Sequence, residues 1–406
     1  MKNDRNAARS LYFPSVEVEG SYTRIDDPIV IDLDPIRQVI LQLHHLPSSV
    51  LPSFSDTVQG EEFGRVTLTG TWVLFTGGKR PAANMAASAR LKDAEAQEAT
   101  TLAEARSSLV ERYFGLRLAR EVLSVRRELE AAMVKHADEA HKIEKAGLIA
   151  KAERLHAEVA LADARMEARS AENDVESAKA GLESLLPQAG DVEPTSTLFM
   201  ANLTEEREDF KKALLEHQPI LKRVDANLQL AHAGVRAQSG RFMPDIYAFG
   251  KDELDRDDLT ILDPKWAVGV GAKFSIFEGG KRIFDSAAAR HQVKSVEFLR
   301  EQTTRDLTAL VDVRYQALLK AKERFTALES TVELARENDR VRTKAFEAGM
   351  ATSLEVTDAQ LMLAKARLGR LAAAYDYDVA LAQLLETTGQ SEKFEELRKA
   401  GTEVRP

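Results

Sequence analysis

The stretch VLFTGGKR, residues 73–80, returns as SIFEGGKR at residues 275–282. By itself, an apolar strand end followed by two glycines and a Lys-Arg pair reads as a phosphate-cradling loop. The G-x-x-x-x-G-K-[ST] spacing of such a loop is absent, however. The recurrence is the informative part. At the same displacement (275 minus 73, or 202 positions), Arg112-Tyr113 meets Arg314-Tyr315, Ala146-Gly147 meets Ala348-Gly349, and Ala164-Arg165 meets Ala366-Arg367. Upstream, YFPSVEVEG at 12–20 pairs with FMPDIYAFG at 242–250, where the displacement is 242 minus 12, or 230. The difference places a longer insert between the first and second strands of the first copy. One offset held from residue 75 to residue 165 marks a duplicated chain.

Each copy has one grammar: an extended pair, the GGKR turn, a long helix, an Ala-Gly break and a shorter returning helix. Between Lys281 and Ala348 there is neither Gly nor Pro, and residues 82–146 contain only Gly115 as a potential breaker. At about 1.5 Å per residue, such a helix is on the order of 100 Å long. Val311, Leu318, Phe325 and Val332 recur every seven residues, with Leu307, Ala321, Leu328 and Ala335 between them and Arg314 as a polar intruder. Sustained heptads of this kind predict coiled-coil packing.

The extended segments alternate with period two. Trp266, Val268, Val270, Ala272, Phe274 and Ile276 share one face of 264–277, opposite Ala267, Gly269, Gly271, Lys273 and Ser275. In 65–75, Val66, Leu68, Trp72 and Leu74 oppose three threonines, and in 14–23, Val16, Val18 and Tyr22 oppose Glu17, Glu19, Ser21 and Thr23. The segment 244–251 alternates less cleanly. Periodicity alone leaves two readings open. Ten-residue strands of this pattern suit a transmembrane barrel, but an ordinary sheet half-buried on a soluble core has the same alternation and is the commoner case. Four strands cannot close a membrane barrel, whose smallest examples have about eight, and open edges in lipid leave backbone groups unpaired. Membrane strands here would therefore require several chains to share one barrel.

Composition narrows the function. The chain has 406 residues, 30% charged and only 6% aromatic, with a net charge of −9 and no cysteine. That mix favours long helices, argues against general nucleic-acid binding, and excludes disulfides and thiolate metal sites. No apolar run is long enough for a transmembrane helix, and the N-terminal MKNDRNAARSLYFPS has no apolar signal-peptide core.

The Pro-containing strand starts ARSLYFPSVEVEGSY and AQSGRFMPDIYAFG, the turns WVLFTGGKR and FSIFEGGKR, and the hairpin segments AGLIAKAERLHAEVALADAR and AGMATSLEVTDAQLMLAKAR resemble, as a set and in order, the TolC family of outer-membrane efflux channels. The resemblance covers nearly the whole chain. It implies a mostly helical fold with some β: a duplicated protomer of long coiled-coil helices plus four strands given to a 12-stranded barrel by a homotrimer in outer-membrane lipid. It further implies a periplasmic helical tunnel, an adaptor and an inner-membrane pump as partners, and a passive export conduit for efflux or type I secretion rather than an enzyme. The first repeat is then 1–186, with strands 12–24 and 64–76 and a hairpin over 80–186. A linker at 187–204 follows. The second repeat is 205–389, with helix 205–239, strands 242–254 and 264–277 and a hairpin over 280–388; a polar tail occupies 390–406. The family pattern also places a helix and a signal peptide ahead of residue 1, so the expectation is a chain truncated at its N-terminus. A soluble coiled-coil scaffold, or a non-functional truncated homologue, is the alternative.

On this reading Gly77, Gly78, Gly279 and Gly280 turn strand into helix, with the adjoining basic pairs at the membrane's periplasmic interface. Gly147, Leu148, Ala150, Gly349, Ala351 and Ser353 form the hairpin tips that dock on the adaptor; tight helix-to-helix turns would look the same. Glu355 and Asp358, spaced i,i+3 on one helix face, align with acidic positions that ring the tunnel entrance, although two solvated charges would show the same spacing. The first copy has Glu153 and His156 at those places. His136 and His141 are off a shared face, His44-His45 lies in a Pro-rich external loop, and no metal, cofactor or catalytic constellation is expected.

Overall fold

A computed structural model describes residues 1–186, 192–260 and 262–404. In chain order the elements are α1 (Lys2–Ser10), β1 (Ser15–Arg24), β2 (Ile29–Asp32), α2 (Asp34–Leu43), β3 (Ser55–Gln59), β4 (Glu62–Phe75), α3 (Lys79–Lys145), α4 (Lys151–Glu183), β5 (Phe199–Met200), α5 (Arg207–His217), α6 (Pro219–Gly240), β6 (Asp245–Glu253), β7 (Trp266–Lys273), α7 (Lys281–Glu347), α8 (Ser353–Thr387), a 3-10 turn at Ser391–Lys393, α9 (Phe394–Ala400) and β8 (Thr402–Glu403). They fall into two compact units, Met1–Ala94 with Asp225–Phe298 and Glu95–Val224 with Leu299–Pro406.

The first unit carries an antiparallel sheet in the order β1-β4-β6-β7. Its register sets Val16 opposite Gly70, Gly70 opposite Gly250 and Gly250 opposite Val268, while Trp72 faces Ala248 and Ala248 faces Val270. Because side chains alternate along a strand, Val16 and Val18 of β1, Leu68 and Trp72 of β4, Ala248 of β6, and Val268 and Val270 of β7 share one face. That face is bare: Val16, Val18, Val268 and Val270 are 67%, 64%, 74% and 69% exposed. A sheet half-buried on a core of its own chain would have hidden them, and among the described residues nothing covers this face. The insert that lengthens the first copy forms the small hairpin β2–β3 with α2 inside it.

The irregular third segment has a physical cause. On the face opposite the valines, Tyr247 lies against Gly271 and Phe249 against Gly269. A Cβ on Gly271 would come within 2.5 Å of the Tyr247 ring, and one on Gly269 within 2.9 Å of Phe249. The glycines of β7 make room for two aromatics lying flat across the strand pair.

The second unit holds the core. The expected heptad seam of α7 is buried at Leu307, Val311, Leu318, Ala321 and Phe325, and it packs with Leu371, Leu381 and Leu384 of α8 and with Phe114, Val125 and Leu129 of α3. Arg314 enters this seam by donating to the side chain of Gln383 on α8.

Three boundary expectations are corrected here. The helix expected over 205–239 is two helices, because Pro219 cannot continue α5 and forces Gln218 into an extended conformation (φ −62°, ψ 120°). Of the expected linker at 187–204, residues 187–191 lie outside the described residues, and Leu198, Phe199 and Ala201 are buried in the main core. The expected polar tail is folded: Phe394 stacks edge-on against Phe114 and Phe199 at centroid distances of 6.1 and 5.6 Å. β8 pairs with β5, and Val404 is 6% exposed. Isolated apolar residues among charges give no periodic signal, yet Phe394 and Val404 are buried and tie this segment to the core.

Candidate functional site

The strand-to-helix turns come first. Gly77, Gly78, Gly279 and Gly280 all have left-handed backbone angles, φ +61°, +92°, +59° and +78°, which only glycine adopts without penalty. At Gly77 the contact is closer still, since a Cβ there would lie 2.4 Å from the carbonyl oxygen of Gly240 at the end of α6. The basic pairs are occupied internally. Lys79 pairs with Asp245 at 2.6 Å. Arg80 donates to the Leu74 and Leu11 carbonyls at 2.8 and 3.2 Å and lies 5.0 Å over the Tyr12 ring. In the second repeat Arg282 donates to the Ser275 carbonyl and lies 5.1 Å over Phe274, while Lys281 pairs with Asp285 at 2.7 Å. Both arginines thus bind the end of the preceding strand to the start of the long helix.

At the hairpin tips, Gly147 and Gly349 have φ of +72° and +73°, and Leu148 and Met350 project outward at 76% and 78% exposure. Ala150 is exposed, and Ala351 packs partly buried beside Phe346 and Val356. Ser353 departs from the expected tip surface: it is fully buried. Its backbone N–H donates to Glu153 Oε2 at 2.9 Å, and its hydroxyl lies 2.7 Å from His136 Nε2. As the first residue of α8 it points into the joint between the two hairpins.

Glu355 and Asp358 do not behave as a pair. Glu355 closes a capping box with Thr352, accepting the Thr352 N–H at 2.8 Å while Thr352 Oγ1 accepts from the Glu355 N–H at 3.3 Å. Its other oxygen pairs with Arg342 of α7 at 2.8 Å. The Thr352 N–H, and then the Arg342 charge, hold its carboxyl below the usual carboxylate range. Asp358 is exposed and, among the described residues, has no ion pair or hydrogen bond.

His136 is the residue that sequence reasoning passed over. It is 3% exposed, and its ring stands edge-on to Phe346 at 4.8 Å. The signal was available: Val125, Leu129, Met133, His136 and Ala140 follow at spacings of three and four, and all are buried.

A duplicated protomer with a four-stranded sheet and two long hairpins is a fold that this chain shares with solved outer-membrane channels. The sequence model of the outer membrane efflux protein family matches residues 2–188 and 211–390. The chain belongs to that family, whose members are efflux channels of the outer membrane. It is 25% identical over 337 residues to the protein CyaE of Bordetella pertussis, spanning 80% of this chain and 70% of that one. The fold is similar to the outer membrane protein VceC of Vibrio cholerae, with a TM-score of 0.74 and 17% identity, covering 96% of this chain and 90% of VceC. It is equally similar to the CmeC outer membrane channel of Campylobacter jejuni, with a TM-score of 0.74 and 14% identity, covering 98% of this chain and 84% of CmeC.

Proposed function

We propose that three copies of this chain share one 12-stranded barrel, four strands from each, and that their helices enclose a tunnel through which substrates pass outward without a power source of their own. The observation that carries this reading is the bare apolar face of a sheet whose edge strands, β1 and β7, have no outer partner among the described residues. In lipid such edges must be paired, and β7 of one copy against β1 of the next pairs both. The exposed tips around Leu148 and Met350 then dock on a periplasmic adaptor that is itself coupled to an inner-membrane pump. A glycine flanked by one long apolar side chain on each tip supports this: it presents a small knob at each reversal, suited to a groove between two partner helices. The entrance charge falls mainly to Asp358, one carboxylate per copy, because Glu355 is engaged by Thr352 and Arg342.

The test is the mass of the purified protein by light scattering, with and without mild detergent. A detergent-dependent particle of three times 45.0 kDa, about 135 kDa of protein, is the expected result. A monomer or dimer indifferent to detergent would remove the shared-barrel reading.

A further inference from the structure

The two hairpins meet at a joint built around one histidine. His136 of α3 is almost fully buried and reaches Ser353 Oγ of α8 at 2.7 Å, a contact between residues 217 positions apart. Glu153 of α4 accepts the Ser353 backbone N–H at 2.9 Å, 200 positions apart in sequence. Around them the packing is apolar: Ala137, Ala140, Ala157, Phe346 and Val356, with Ile143 and Ile149 partly buried. Side chains from all four helices of the two hairpins therefore converge on one imidazole.

We propose that His136 is a positioning residue that makes this joint proton-sensitive, holding the second hairpin against the first while neutral and releasing the start of α8 when protonated. A neutral imidazole offers Nε2 to the Ser353 hydroxyl, and the hydroxyl can turn to suit either tautomer. An imidazolium has two N–H donors and a full charge, placed beside the Phe346 ring and a cluster of buried alanines. Burial without sufficient compensation disfavours the charged form. Burial is the largest influence on His136 and pushes its pKa down from 6.5; Glu139, the Ser353 contact and Glu153 oppose it, and His156 adds to it. The charged or titratable groups facing the ring are thus Glu139 from its own helix and Glu153 and His156 from α4. α7 contributes Phe346 and α8 the Ser353 hydroxyl.

The sign follows from that direction. With the joined-state pKa depressed, the joint has its full strength above about pH 6.5 and loses it as pH falls through the joined-state pKa, because the separated state binds the proton better. From about pH 6.5 down to that pKa each pH unit favours separation by up to about tenfold, and below it both states carry the proton and nothing further is lost. The consequence for conduction rests on the conduit reading above; the joint itself does not.

The chain contains no cysteine, so Leu148→Cys with Met350→Cys takes two spin labels cleanly, one on each tip. Labelled chains are diluted with unlabelled ones so that only distances within one copy are read. Pulsed electron resonance from pH 7.5 to 5 then follows the joint whether or not the protein conducts. The expected result is a single distance at pH 7.5 and a growing longer population on acidification. His136→Gln should abolish that response, and His156→Gln should retain it. Ser353→Ala, which keeps the imidazole but removes its partner, should move the midpoint, and this decides the matter if His136→Gln does not fold. A wild-type distance unchanged across the range would overturn the proposal. So would a response that survives in His136→Gln, or a midpoint unmoved by Ser353→Ala.

Discussion

Asp378 offers the sharpest test of the core energetics. It is fully buried in α8 beside the segment Leu198–Ala201. Oδ2 accepts the Phe199 N–H at a long 3.4 Å, Oδ1 has no partner, and among the described residues no ion pair reaches either oxygen. Burial pushes its carboxyl well above the ordinary value of 3.8, with the Phe199 N–H pulling weakly the other way, so the folded chain keeps a proton there that the unfolded chain gives up. Below pH ~3.9 both states are protonated and the group costs nothing. As pH rises, the unfolded state ionises and the folded state does not, so folding stability falls by about 1.4 kcal/mol per pH unit until the folded pKa is passed. Asp378→Asn removes the titration but keeps an oxygen for the Phe199 N–H, and its amide nitrogen inherits a position that already lacks a partner. Its absolute stability is therefore less diagnostic than its slope. In unfolding measured by circular dichroism at pH 4.5, 5, 5.5 and 6, the variant should gain on the wild type as pH rises, by at most about 1.4 kcal/mol for each pH unit. Parallel curves would mean that the carboxylate is charged and solvated in the folded protein, and the burial argument would be refuted.

Three further perturbations probe other parts of the structure. Gly389 stops α8 at φ +71°, and a Cβ there would lie 2.7 Å from the His217 backbone and 2.9 Å from the Gln218 nitrogen. Gly389→Ala should cost about 2–4 kcal/mol in a melting experiment, and a shift within error would show that the α5–α6 junction can move aside. Val268→Arg places a charge on the bare face of β7 and should lose ~2–4 kcal/mol of folding stability in lipid vesicles; Glu17→Lys, on the opposite face of β1, should be nearly silent, and equal losses at both positions would deny that the two faces meet different surroundings. Glu355→Gln should loosen the second tip, read as faster amide exchange at Ser353–Thr357. The loss should resemble that of acidifying the wild type, because a depressed carboxyl contributes its stability above its unfolded pKa and loses it as pH falls.

Much of the fold was legible because it repeats. A GGKR turn seen once is ambiguous; seen twice at a fixed displacement, with Arg-Tyr and Ala-Gly pairs in step, it fixes the order strand, turn, helix, hairpin in both halves. The α7 heptads likewise name their own buried residues. What escaped the sequence depends on contacts between distant segments. Tyr247 and Phe249 look misplaced on a polar face until Gly271 and Gly269 of the neighbouring strand are seen beneath them. Phe394 and Val404 look like stray apolar residues in a charged tail, since their partners Phe114, Phe199 and Leu198 lie roughly 200 or more positions away in sequence. The same limit governs the acidic residues of the second tip. The i,i+3 spacing of Glu355 and Asp358 shows only that they share a helix face. What each carboxylate does depends on Thr352 just before it and on Arg342 across the reversal, and these tie Glu355 down while leaving Asp358 open. A pattern within one helix can nominate a charged site, but only the opposing helix determines which of its charges is left to act.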